Sequence, residues 1–280
     1  LGSAADYFRE RFPLPVVITL SVGTAIWLVA STTDEMPSQI NYVITALITV
    51  AFTAFLLRQR VMDEFKDRSH DDANYPNRPV QRGVITHRQL KPIGFIAFLI
   101  ELSAVIAIAA LSNHWFSLLT YLAVLSFSAL TAYEFFAVEW LNRHFTIYFL
   151  SHQLIFVFFY IWALSIFGAS YSLQVALNGF AFMLAMAALE IMRKFEIRRN
   201  SVGEIVKDTY LAVWGRLVSV TALALSFAIG GTLLGRFTFP LSLIGLLAGL
   251  LIVAVNKSNR AVQAATIVGF FAIGLVAYFS

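Results

Sequence analysis

Asp63-Glu64-Phe65-Lys66-Asp67-Arg68-Ser69-His70-Asp71-Asp72, followed by Asn77-Arg78-Pro79, closes a hydrophobic run and gathers five of the chain's sixteen acidic residues into ten positions. Asp63, Asp67 and Asp71 recur at i, i+4 and i+8. On a helix that spacing lines three carboxylates along one slowly drifting stripe. Like charges so placed repel by roughly 0.2–0.5 kcal/mol per pair, so the stripe asks for a compensating cation. Magnesium fits the demand, because it takes hard oxygen ligands and commonly shares them with phosphate oxygens.

Outward from this stretch the chain is apolar. Its 280 residues are 59% hydrophobic and 13% charged, with a mean hydropathy of +0.76; soluble domains carry about 25% charged residues. The expected class is an all-α polytopic membrane protein forming one domain over residues 1–280. Nine apolar segments stand near the roughly 20 residues that span a bilayer, at 14–31, 41–58, 92–112, 115–138, 146–167, 172–192, 209–231, 238–256 and 261–279. The third and fourth are joined by Leu111-Ser112-Asn113-His114 and the last two by Asn256-Lys257-Ser258-Asn259-Arg260, which reads as two tight hairpins. Asp6, Arg9, Glu10 and Arg11 ahead of Pro13 and Pro15 do not make a cleavable leader. The absence of cysteine excludes disulfides, thiolate metal sites and a cysteine nucleophile.

Basic residues test the segment count, because they concentrate on the cytoplasmic side. With the N-terminus inside, the C-terminus outside and nine crossings, 19 of the 20 Lys and Arg residues fall on the inner connections and their flanks; Arg236 is the exception. The net charge of +4 then reports topology, not a nucleic-acid partner, and no groove-reading motif is present. Two polar connections dominate, at about 59–91 and 193–208, and both are expected on the cytoplasmic side of an inner or plasma membrane. A solvated loop of mixed charges is the ordinary reading of such a stretch. The helical spacing of the acids and the Asn-Arg-Pro that follows argue against it.

Asp63-Glu64-x-x-Asp67-x-x-x-Asp71, then Asn77-Arg78-Pro79 and Gly83-x-Ile85-Thr86, resembles the first motif of the UbiA superfamily of intramembrane prenyltransferases. That family reads Asn-Asp-x-x-Asp-x-x-x-Asp followed by Asn-Arg-Pro. The likeness extends to the whole chain, with active connections after the second and sixth of nine helices around a central cavity. It implies magnesium on Glu64, Asp67 and Asp71, with Asp63 at the family's asparagine position, and an isoprenyl diphosphate as substrate.

The family's second Asp-x-x-x-Asp is altered here. Glu190-Ile191-Met192-Arg193-Lys194-Phe195-Glu196 offers Glu190 at the first acidic place and Lys194 at the second, with Glu196 a further possible ligand. A protonated lysine does not ligate magnesium but does bind a phosphate oxygen as a point charge. Lys194, with Arg193, is therefore expected to take part of a second metal's role, in a divergent subgroup. The resemblance also implies diphosphate contacts from Arg78, Arg143, Lys207 and Tyr210, with Asp208 nearby; Asn142 replaces a family lysine beside Arg143. A merely topological role is an equal reading for Arg198 and Arg199.

Ionisable groups within apolar segments are costly and default to function. Glu134 and Glu139 near the end of the fourth segment and His152 in the fifth are such groups, with the polar Gln153 beside His152. For Glu101 in the third, an interhelical hydrogen bond to Ser or Thr stands beside a catalytic role; for His152 a satisfied polar contact is the plainer reading. The 41 aromatic residues, 26 of them Phe, suit either packing or a chamber for an isoprenoid chain. The implied chemistry is magnesium-assisted ionisation of the prenyl diphosphate. Capture by an aromatic or lipid acceptor makes a prenyltransferase, and capture by an internal double bond makes a terpene cyclase. A cation transporter or non-catalytic membrane protein is the alternative class. It would favour acids at mid-membrane and inverted repeats, whereas these acids gather at one mouth.

Overall fold

The computed structural model describes residues 2–32, 38–234 and 238–279. Asp34, Glu35 and Arg236 lie outside the described residues. The elements in chain order are α1 (Gly2–Arg11), α2 (Leu14–Thr32), α3 (Gln39–Lys66), α4 (Arg68–Asn74), α5 (His87–Ser112), α6 (Phe116–Ala132), α7 (Val138–Arg143), α8 (Phe145–Gln153), α9 (Ile155–Phe167) and α10 (Leu173–Arg193). A two-residue hairpin of β1 (Arg198–Arg199) and β2 (Ile205–Val206) follows, and then α11 (Tyr210–Val213), α12 (Gly215–Leu233), α13 (Thr238–Ala254) and α14 (Asn259–Phe279).

Each expected apolar segment coincides with helix, but not with uniform length. Among the described residues seven helical stretches are long and apolar enough to cross a membrane, taking α8 and α9 together as one, while α6 and α13 are shorter apolar helices. The chain is an integral membrane protein. α3 runs beyond the apolar segment ending near 58, on to Lys66, so the start of the acidic stripe is helical, as its spacing implies. The fourth was expected to reach 138, yet α6 stops at Ala132 and the chain turns sharply before α7.

Local chemistry sets several helix ends. Thr86 caps α5 in a reciprocal capping box with Gln89, and Ser172 caps α10 by accepting from the Val175 amide. Between helices, small residues permit close approach, as membrane packing favours. A Cβ on Gly231 would stand 2.5 Å from the Leu241 carbonyl oxygen, and one on Gly245 would stand 2.4 Å from that of Phe227; α12 and α13 therefore meet backbone to backbone. The Trp27 indole donates to the Phe270 carbonyl at 2.8 Å and stacks on its ring, tying α2 to α14.

The interior is aromatic, and one expectation about it changes. Between α3, α6 and α9, Phe52, Phe55, Tyr121, Phe159 and Trp162 are all buried and packed largely edge to face, with Phe55 and Phe159 centroids 4.9 Å apart. Glu101, fully buried, does not bond a Ser or Thr. It receives Arg58 through Nε at 2.7 Å and Nη2 at 2.9 Å, and the Tyr121 hydroxyl at 2.7 Å. Arg58 in turn donates to Ser128 at 3.0 Å. Arg58, expected as a flanking charge, is thus half of an ion pair joining α3, α5 and α6.

Candidate active site

The acidic stripe forms along a nearly continuous helical path. The Asp67 amide donates to the Asp63 carbonyl and the Asp71 amide to that of Asp67, both at 2.8 Å. The side chains then divide into two groups. Glu64 and Asp71, each 2% exposed, turn toward α1 and the Asn-Arg-Pro turn. Glu64 Oε1 accepts from Arg60 Nη2 at 2.6 Å and from Arg11 Nε at 3.0 Å. Asp71 pairs with Arg78, whose guanidinium lies 3.8 Å over the Tyr75 ring, and with His70 at 3.4 Å. Burial alone would raise the Asp71 carboxyl, but the bonds from His70 and Arg78 outweigh it and hold the group below the usual carboxylate range. Two of the four expected metal ligands of the first motif, Glu64 and Asp71, are therefore committed to arginines.

The second group surrounds Lys66. Its ammonium stands 3.7 Å from Asp63, 3.9 Å from Asp67 and 3.5 Å from Glu134, over the Tyr148 ring at 6.0 Å. Asp63 and Asp67 are each 43% exposed, whereas the Glu134 side chain is 9% exposed. Burial raises the Asp67 carboxyl, Lys66 offsets part of that, and Asp63, Asp71 and Glu134 push it up again, to about 6.

Glu134 arrives by an unusual route. Glu134, Phe135 and Phe136 have φ of 46°, 53° and 59°, three consecutive left-handed residues without a glycine. Such a conformation costs roughly 1–2 kcal/mol per residue and persists only where packing enforces it. Here Phe135 meets the Phe127 ring at 5.5 Å and the His152 ring at 5.8 Å. The His152 Nδ1 bonds the Tyr148 carbonyl at 2.8 Å, while its Nε2 is buried without a partner, so the satisfied contact expected for it is met at one nitrogen only.

At the end of α10, Glu190 accepts Arg193 through Nε at 2.8 Å and Nη2 at 2.9 Å, the Tyr210 hydroxyl at 3.3 Å, and pairs with Lys194 at 3.4 Å. Glu190, expected to ligate a metal, instead orients two cations. Burial lowers the Lys194 ammonium more than Glu190 raises it. Asp63 at the end of α3 acts electrostatically on Arg193 and Lys194 at the end of α10, and Arg193 on Arg60. The two polar connections also touch directly. The Tyr75 hydroxyl donates to Asp208 Oδ2 at 2.6 Å, and Arg198 approaches the same oxygen at 3.5 Å. A polar hollow of about 310 Å³ opens beside this contact, between Arg11, Tyr75, Arg78 and Arg199. A larger apolar groove of about 590 Å³ lies between α9 and α10 near Tyr171, at the opposite end from the charges, and offers no reacting group.

Several expected residues are not brought to the site. Glu196 is exposed and pairs with Arg198 at 2.6 Å. Arg143, Glu139 and Lys207 are exposed, with no ion pair among the described residues. Tyr210 is buried against Phe145, Phe149 and Trp214 and reaches the site only through Glu190. Conversely, Lys66, Arg11 and Arg60 were missed as site residues. Arg60 was legible, at i−4 from Glu64. Lys66 was hidden by its ordinary role as a flanking charge, and no local signal marks Arg11, which comes from 53 positions away.

Among the described residues no three acids or histidines stand at metal-ligand spacing; Lys66 lies among Asp63, Asp67 and Glu134. The donors are nevertheless oxygen only, and Glu134 Oε2 is buried without a partner. Oxygen donors are the kind magnesium takes, but as placed here they do not form a three-residue ligand set for it.

No protein-family model matches the sequence, and no curated protein matches it. The fold is similar to the solved structure of a digeranylgeranylglyceryl phosphate synthase in membranes, with a TM-score of 0.51, 16% identity, and 97% of this chain and 100% of that chain covered. The fold is shared end to end.

Proposed function

From that shared fold we propose that the chain is an intramembrane prenyl-transfer enzyme of the UbiA type, acting on an isoprenyl diphosphate with magnesium. All nine apolar helices cross the bilayer, and the mouth formed by α3, α4 and α10 faces the cytoplasm. The acceptor is an aromatic or lipid molecule. One observation carries the reading: at one end of an apolar bundle Glu190 holds two oriented cations, Arg193 and Lys194, on which the Asp63 carboxylate of the acidic stripe also acts. A diphosphate head with an apolar tail calls for that pairing.

Arg193 and Lys194 bind diphosphate oxygens, with Glu190 holding both in place. Arg is suited to the task by its rigid donor fork. Asp63 and Asp67 hold the magnesium ion, which when bound supplies charge neutralisation at the departing diphosphate. Lys66 adds a further positive charge beside those oxygens. As the C–O bond breaks, charge builds on the leaving group, and these cations stabilise that state more than the bound substrate. The allylic cation forms toward an aromatic interior whose ring faces stabilise positive charge and which excludes water.

The test is release of inorganic diphosphate from C10 to C20 prenyl diphosphates by the full chain in detergent or lipid, with and without magnesium. Magnesium-dependent release is expected. Absence of release at every chain length would sink the enzyme reading.

A further inference from the structure

Arg11, Arg78 and Arg199 are far apart in the chain, on α1, in the Asn-Arg-Pro turn and on β1, yet all three line one polar hollow of about 310 Å³. That volume stands at the small end of ligand pockets, which start near about 300 Å³; it suits a head group, not a long chain. Among the described residues the lining has one carboxylate, Glu10, and it is paired with Arg82. The lining is thus left with positive charge in surplus. The acids nearest to it are engaged: Glu64 with Arg11, Asp71 with Arg78, Glu204 with the Asn200 amide at 3.2 Å and Asp208 with the Tyr75 hydroxyl. Asn77 and Ser201 line the same hollow and add uncharged donors.

The guanidinium groups are held before any ligand arrives. Arg11 Nε donates to Glu64 at 3.0 Å. Arg78 is fixed between Asp71 and the Tyr75 ring, 3.8 Å away. Arg199 Nη1 donates to the Gly203 carbonyl at 2.7 Å, which leaves its Nε and Nη2 with no acceptor among the described residues. Arginines that only anchor a membrane face extend their heads into water. The side chains of Arg11 and Arg78 are instead 16% and 17% exposed.

We propose that this hollow is a binding site for a dianionic phosphate group, separate from the Arg193–Lys194 pair at the end of α10. Such a group carries about −1.5 to −2 charge at pH 7 and three acceptor oxygens, which suits the surplus charge and the forked donors of arginine. None of Asp63, Asp67, Glu190, Arg193 and Lys194 lines the hollow. Once filled, it ties α1 and the β1–β2 hairpin to the Asn-Arg-Pro turn. The phosphate comes on a lipid headgroup or free in solution. The site stands whether or not the mouth turns over a prenyl diphosphate.

The test is amide hydrogen exchange of the full chain in phosphatidylcholine nanodiscs, with inorganic phosphate added or with part of the lipid replaced by phosphatidic acid. Phosphate should slow exchange at least fivefold in residues 5–11 and 198–206. Protection by phosphatidic acid alone names a lipid headgroup as the ligand, and protection by inorganic phosphate names a soluble one. Arg199→Ala should raise the phosphate needed at least tenfold. Arg11→Gln should do the same from the α1 side, so that a locally disturbed hairpin does not decide the result. Arg9→Ala, which removes the same charge from α1 at a side chain 79% exposed, should change it less than twofold. Protection that survives both Arg199→Ala and Arg11→Gln overturns the site. Protection lost in Arg193→Ala would place the phosphate at the end of α10 instead. Equal protection by phosphatidylglycerol, a monoanion, would reduce the effect to surface charge, and no protection from either phosphate source would leave the hollow without its ligand. Each of these outcomes overturns the proposal and leaves the prenyl-transfer reading to the diphosphate-release assay.

Discussion

Replacing Arg58 with methionine isolates the ion pair buried in the bundle. Glu101 is fully buried and accepts three hydrogen bonds, two from the Arg58 guanidinium at 2.7 and 2.9 Å and one from Tyr121 at 2.7 Å. Hydrogen bonds to charged groups contribute about 1.5–3 kcal/mol each, and removing one partner of a buried pair typically costs about 3–5 kcal/mol because the other charge is stranded. Arg58→Met should therefore destabilise by about 3–5 kcal/mol, and Glu101→Met by a similar amount. Replacing both by methionine removes both desolvation costs with little change in volume, so Arg58→Met/Glu101→Met should return to within about 1–2 kcal/mol of wild type. The assay is reversible unfolding of the purified protein in mixed micelles, followed by tryptophan fluorescence. The double variant should also keep diphosphate release, because the pair joins α3, α5 and α6 and touches no group at the mouth. A stable double variant that has lost diphosphate release would refute the structural role and return Glu101 to the chemistry. A single variant costing under about 1 kcal/mol would refute the energetic reasoning.

Asp67→Asn should reduce diphosphate release at least a hundredfold while leaving unfolding midpoints near wild type, since that side chain is 43% exposed and packs little. Because the Asp67 carboxyl titrates near about 6, magnesium affinity should fall as pH drops below that value, as a protonated acid cannot ligate; a magnesium titration of diphosphate release at pH 5, 6 and 7 checks it. The sign for stability is opposite. The folded carboxyl binds its proton more tightly than the unfolded one, so the metal-free protein should lose stability as pH rises from about 4 through about 6. Arg193→Ala should raise KM for the prenyl diphosphate at least tenfold, whereas Arg143→Ala should change it less than twofold, because only Arg193 is oriented by Glu190; steady-state kinetics on both variants decides between geometry and motif resemblance. Gly245→Ala should destabilise by about 1–3 kcal/mol, since its Cβ would meet the Phe227 carbonyl oxygen at 2.4 Å and backbone must move; an unchanged unfolding midpoint would show that α12 and α13 do not pack this closely.

Hydropathy made the bundle legible because a bilayer imposes length and apolarity on each crossing segment. The ends of helices were less legible, and the fourth segment, expected to reach 138, ends as α6 at Ala132. The acidic stripe and the Arg193-Lys194 pair were visible as spacing. What each acid faces was not. Glu64 meets Arg11 across 53 residues, and Glu101 meets Arg58 across 43. Glu134 was visible as a charge at a helix end. The turn that aims it was not, because sequence marks left-handed residues by Gly or Asn and here they are Glu and Phe.

The bond from Tyr75 to Asp208 joins positions 133 apart, one on each polar connection. It works as a clasp across the mouth. Because Arg198 meets the same oxygen at 3.5 Å, a shift of either connection is passed to the other, and the β1–β2 hairpin moves with it. Tyr75→Phe should uncouple them, read as faster amide exchange over residues 198–208 with exchange in α10 unchanged.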